Sequence, residues 1–323
     1  MAEKNAVELA QHLFAVLSGS EPALDNKSSQ PVGMTALKSP DSFLIPLLQI
    51  SVMVWLFISL VSATGRGLAR LSGLRGGIVE RFAASFVELT YYSLSLSVMA
   101  KVCWYADWFW PSGWGNLMMD GRNQSIKGLK PYTTSADMKF LYLVETGFYI
   151  VALIKLLTAK RKKDFWQMFF HHIVTGVLLL VSYTAGYIRI GAVVMFLHNL
   201  FDPFLHLAKC CNYAKVPILP DVAFVACMIT FAVSRLYYYP ICIWHSFTQV
   251  CNNTKTCPGG VWDKEIVESS LIFLLTALLP VHIFWFFLIL KVLKKAVLKG
   301  SAEGDVRSDS EDEEEEEQLK KKK

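Results

Sequence analysis

His171 and His172 stand side by side near the start of one apolar run, and His198, Asn199, Asp202, His206 and Lys209 are strung through the next. A neutral imidazole takes up a proton or attacks a carbonyl carbon, and a carboxylate on its other nitrogen fixes the tautomer and stabilises the charged form. Ionisable groups at membrane depth are costly, so their default reading is function. Two other uses of the same residue types stay open. His171, His198, Asp202 and His206 would suit a metal, although no established ligand spacing joins them. Interhelical hydrogen bonds that merely hold a bundle together would also use them. A single histidine in a span fits that last reading; so many polar groups at matched depth point to chemistry.

The spacing sets the geometry. His198, Asp202 and His206 fall at i, i+4 and i+8, with Lys209 three further on, which predicts one polar stripe along an otherwise apolar helix with Asn199 at its border. Pro203 lacks a backbone N–H and crowds the carbonyl of Asn199, so a kink is expected there. If the preceding span enters near Trp166, His171 lies roughly 7–8 Å deep, and Asp202 lies roughly 10 Å from the exit near Lys209. A histidine and an aspartate can therefore meet between neighbouring antiparallel helices. His171 and His172 point about 100° apart on a helix. One of them is expected to react and the other to orient or bind.

These helices belong to a larger apolar array. Of 323 residues 53% are hydrophobic and 18% charged, and the apolar residues come in long blocks rather than stripes, which marks a polytopic membrane protein. The predicted class is all-α, a bundle of about seven transmembrane helices over 43–64, 84–104, 139–158, 166–186, 190–208, 221–244 and 266–290. A polar segment over 1–40 precedes a membrane domain over 41–292, and an acidic tail follows over 293–323. No cleavable signal peptide is expected, because the first strong apolar run begins near Phe43. Nothing suggests nucleic acid as a partner; the net charge of +5 sums a basic body and an acidic tail.

Basic residues orient the array. Arg66, Arg70, Arg75 and Arg81, then Lys160–Lys163, Lys209 and Lys215, and Lys291–Lys299 all fall on one side if seven spans are present. That side is read as cytosolic, with a lumenal N-terminus and a cytosolic C-terminus. The glycosylation tripeptides at Asn26, Asn123 and Asn252 then all lie on the lumenal side. Cys251 and Cys257 share the last lumenal loop, where they are either a disulfide or two thiols. Trp108, Trp110 and Trp114 suit an interfacial belt. In the acidic tail Ser308 and Ser310 precede acidic residues, as candidates for phosphorylation or as part of a solubilising run. The terminal lysines match a cytosolic dilysine retrieval signal.

The stretches DFWQMFFHH, SYTAGYIRIG and MFLHNLFDPFLHLAK resemble the signature block of the longevity-assurance ceramide synthases of the TLC-domain superfamily, in which a His-His pair precedes S-Y-x-x-N-x-x-R-x-G and H-D-x-x-D-x-x-L-E-x-x-K. The register matches without a gap, and Glu145, Phe148 and Tyr149 extend it upstream. The resemblance implies a TLC-type bundle in the endoplasmic reticulum membrane that moves a fatty acyl chain from acyl-CoA, as substrate, to the amine of a sphingoid base. It needs neither cofactor nor metal. An acyl-imidazole is the implied intermediate, with homodimers or heterodimers with a paralogue as assemblies. Carried over by position, His171, His172, His198 and Asp202 are catalytic. Asn199, Arg189, Tyr183, His206 and Lys209 support them. Arg161, Lys162 and Lys163 face the CoA phosphates, a role that coexists with a purely topogenic one. Three positions depart from the pattern: Asn199 stands for Asp, Gly186 for Asn and His206 for Glu. Asn cannot carry the charge of Asp, so a weakly active or non-catalytic lipid-binding relative, regulating an active synthase, is the alternative.

Overall fold

A computed structural model of the chain describes residues 30–31, 40–118, 133–134, 136–159, 161, 164–252 and 264–299. Long apolar runs leave the backbone one way to satisfy its polar groups in lipid, which is helix. The helices are α1 (Pro40–Leu71), α2 (Gly77–Cys103), α3 (Ala136–Thr158), α4 (Phe165–Thr184), α5 (Ile188–Asn199), α6 (Asp202–Tyr213), α7 (Leu219–Phe231), α8 (Tyr239–Asn252) and α9 (Lys264–Lys299). A π-helical stretch, Ala232–Tyr238, joins α7 to α8. Two-residue strands, Gln30–Pro31 and Thr133–Thr134, pair antiparallel.

Six stretches among the described residues are long and apolar enough to cross a membrane: Ile45–Leu71, Asp137–Thr158, Phe165–Thr184, Ile188–Tyr213, Leu219–Cys251 and Ile266–Lys294. The remaining expected span corresponds to α2. It has the length, 27 residues, but carries Glu80, Arg81 and Glu88 in its first half, which lowers its hydropathy. One face of α2 is nonetheless buried, through Val79, Phe82, Val87, Tyr91, Ser95 and Val98, at the i, i+3, i+4 spacing of an inward stripe.

Packing closes on itself. Around a ring, α2, α6, α7, α9, α4 and α3 each pack on the next, and α3 returns to α2. α5 runs inside, against α2, α4, α6, α8 and the π-helical stretch. α1 lies outside, on α2 and α3, and exposes Leu48, Val52, Trp55, Leu56 and Leu60, the apolar flank that a bilayer would cover.

Two glycines fit α5 into this interior. The turn from α4 needs a left-handed residue, and Gly186 supplies φ +81°; asparagine, the family residue there, is the side chain that tolerates this region best after glycine. At Gly191 a Cβ would lie 1.8 Å from the hydroxyl oxygen of Tyr142, which itself donates to the carbonyl of Ile188 at 3.0 Å. Gly191→Ala must therefore displace the buried Tyr142 ring and its hydrogen bond to Ile188. We expect a loss of about 1–3 kcal/mol, read as a lower melting temperature in detergent; an unchanged value would mean that the ring moves aside freely. At the same end, the Tyr187 hydroxyl donates to Glu268 at 2.9 Å, tying α5 to α9.

Candidate active site

Where α5 stops, the ring encloses space. A cavity of about 280 Å³ takes side chains from all six ring helices and the π-helical stretch, among them Glu88, Tyr149, His171, His172, Asp202, His206, Lys209, Arg235 and Trp285. Pro203 explains the gap. It withholds the N–H that would bond the carbonyl of Asn199, so the helix ends at Asn199 and restarts at Asp202. The predicted continuous stripe is thereby split. Asp202, His206 and Lys209 face the cavity, whereas His198 and Asn199 border a second, almost wholly apolar pocket between α3, α4, α5 and α9. That pocket is narrow, about 40 Å³, and runs to Leu271, Leu275 and Leu278, with Tyr149 shared between the two.

Arg235 organises the break. One Nη donates to the Asp202 carboxylate at 3.2 Å and to the carbonyl of His198 at 2.6 Å. It thus satisfies a carbonyl next to the interrupted helix and pairs a buried charge, both of which are costly if left alone. Its guanidinium lies over Phe201 at 4.0 Å, Phe231 at 5.2 Å and Trp285 at 6.0 Å, in cation–π geometry. The π-helical stretch that carries it changes the residues per turn and hence its aim, a device common at functional sites.

The two histidines of the pair both line the cavity, with ring centres 5.8 Å apart. Tyr149 stands 6.3 Å from the first ring and 5.7 Å from the second. His171 is the more buried. Its ring sits between Trp285 at 5.0 Å and His198 at 6.2 Å. Neither His171 Nδ1 nor His172 Nδ1 has a hydrogen-bond partner among the described residues. His198 differs: its Nδ1 meets the carbonyl of Val194 at 2.8 Å and its Nε2 meets His282 Nε2 at 3.1 Å.

Asn199 has a specific environment. Its Nδ2 donates to Glu145 Oε1 and to Ser95 Oγ, each at 3.1 Å, and the Ser95 hydroxyl donates to the same Glu145 oxygen. A carboxylate is therefore already present beside position 199. Two carboxylates at this distance cannot both ionise and hold one proton between them. An aspartate at 199 would share the site with Glu145, so the two could hold at most about one negative charge between them.

A profile of the TLC domain matches residues 81–291. The chain belongs to the TLC-domain family. It is similar to ASC1-like protein 3 of Oryza sativa subsp. japonica, 32% identical over 250 residues that span 74% of this chain and 81% of the relative. It is also similar to ceramide synthase LOH1 of Arabidopsis thaliana, 33% identical over 244 residues, 72% of this chain and 74% of the relative. Ceramide synthase 5 of Homo sapiens is 31% identical over 233 residues, 72% of this chain and 55% of the relative.

Within this TLC domain the other expected residues are placed as follows. Tyr183 lies about 18 Å further along α4 than His171, against Tyr142, and Arg189 lies in the first turn of α5; neither lines the cavity. Arg161 reaches over Phe165 at 5.0 Å and Trp166 at 6.0 Å. Cys251 is exposed near the end of α8, which closes at Asn252. Asn26, Asn123, Lys162, Lys163, Cys257, Ser308 and Ser310 lie outside the described residues. No group of three His, Cys, Asp or Glu with metal-binding geometry occurs among the described residues.

Arg235 and His282 were missed by sequence reasoning. Each is the ionisable residue at the centre of its own apolar span, and the cost of such a group in lipid was the available signal.

Proposed function

We propose that this TLC-domain protein is a sphingoid-base N-acyltransferase, a ceramide synthase. The observation that carries the reading is one cavity lined by two adjacent imidazoles and an arginine-held carboxylate. The curated relatives named ceramide synthase support it. An imidazole nitrogen of the His171–His172 pair attacks the thioester carbon, and the C–S bond breaks as the thiolate of CoA leaves with a proton. The amine of the base then attacks the acyl-imidazole, the C–N bond to the ring breaks, and the imidazole recovers as the amine loses its proton. Glu88 and the arginine-paired Asp202 place carboxyl groups in the cavity where an ammonium headgroup would bind. Arg161 and Lys209 place positive charge at the same end as the cavity, suited to the phosphates of CoA. With the orientation read from the basic loops, that end is cytosolic, in a multi-pass protein of the endoplasmic reticulum membrane.

The test is a microsomal assay with sphinganine and a series of acyl-CoAs. Amide product above that of control membranes is expected; none would favour the second reading, a lipid-binding relative that regulates an active synthase. Asn199 separates the two as well. Since an aspartate there would compete with Glu145 for one negative charge, Asn199→Asp should leave kcat within about tenfold of the wild type, one pKa-unit equivalent of interaction energy. A gain of several orders of magnitude would mark the natural chain as disabled.

A further inference from the structure

We infer that His282, on the last helix, is a positioning residue that locks His198 through a single Nε2–Nε2 hydrogen bond and thereby clamps His171 for reaction. The inference rests on the transferase reading above. The geometry assigns the protons. A carbonyl only accepts, so His198 Nδ1, 2.8 Å from the carbonyl of Val194, must carry hydrogen. With both rings neutral, His198 Nε2 is then a bare lone pair. The 3.1 Å contact with His282 Nε2 holds only if His282 donates. This leaves His282 Nδ1 as the bare nitrogen, and it has no partner among the described residues.

Both nitrogens of His198 are thus spoken for, so this ring is a wall rather than a base. The wall matters because of what leans on it. His171 is held between His198 and Trp285, and Trp285 lies three residues after His282, on the same side of α9. One turn of α9 therefore supports His171 twice, directly through Trp285 and through the His282–His198 bond. His282 is fully buried, with Tyr239 5.1 Å and Phe231 6.5 Å from its ring centre. No room is left for a substrate to touch it, so it acts through its neighbour.

The experiment compares His282→Gln, His282→Asn and His282→Phe in microsomes, with kcat and KM for acyl-CoA measured alongside melting temperature in detergent. Gln presents an N–H close to the lost Nε2–H, Asn carries its amide one bond short, and Phe fills the volume with no donor. We expect kcat to fall about a hundredfold in His282→Phe, the scale of a small misplacement of a reacting group. KM should change less than about threefold, and Gln should recover most of the rate. If Phe does not fold, the Gln-over-Asn order at equal melting temperature decides. Equal rates in all three, or Phe above Gln, would assign His282 to packing alone and overturn the inference while leaving the transferase intact. A wild type that makes no amide would remove both.

Discussion

Alanine at His171 or at His172 should lower sphinganine acylation by about a thousandfold or more, without loss of protein from the membrane. Nucleophile and base act as a unit, so removing either member costs nearly what removing both does. The double variant should accordingly be no worse than the more damaged single one. The two roles separate by intermediate rather than by rate. Incubation with acyl-CoA alone, followed by rapid digestion and mass measurement, should find the acyl group on one imidazole only. His171 is gripped between two rings and His172 is more open, which favours the gripped ring as attacker and the open one as proton carrier. Single variants that retain more than about a tenth of the rate would rule out covalent acyl transfer through this pair.

The second large effect concerns stability. Arg235→Met removes the ion-pair arginine of the buried Asp202 carboxylate and the donor to the His198 carbonyl. Breaking such a pair typically costs about 3–5 kcal/mol, because one charge remains buried and uncompensated. We expect a large fall in melting temperature in detergent and poor accumulation in cells. Replacing both, Asp202→Leu with Arg235→Met, removes the buried charge that has lost its arginine and should restore most of the melting temperature, while activity stays lost. If the double variant is as unstable as the single, the aromatic cage over Arg235 carries the energy instead of the ion pair.

The sequence disclosed the architecture because lipid leaves few choices. Each apolar block long enough to span became a helix, and the short link at Gly186 forced α4 and α5 side by side. The histidine pair and Asp202 were legible for the same reason: polar groups in apolar runs are conspicuous. What escaped was tertiary. Arg235 and His282 lie far along the chain from the pair they support, and periodicity says nothing about which span faces which. The π-helical stretch has no composition of its own. Pro203 announced a kink, but not that the break would send His198 and Asp202 to different pockets. The environment of Asn199 depends on Ser95 and Glu145, on two other helices, which a single-position comparison cannot show.

The last helix has a consequence for biogenesis. Trp285 and His282 both lie on α9, and without that helix the ring between α7 and α4 stays open. A nascent chain halted before that helix has its histidine pair in the bilayer yet lacks the wall that holds it. Prematurely terminated translation products should therefore consume no thioester, and catalytic competence should switch on in one step when α9 integrates.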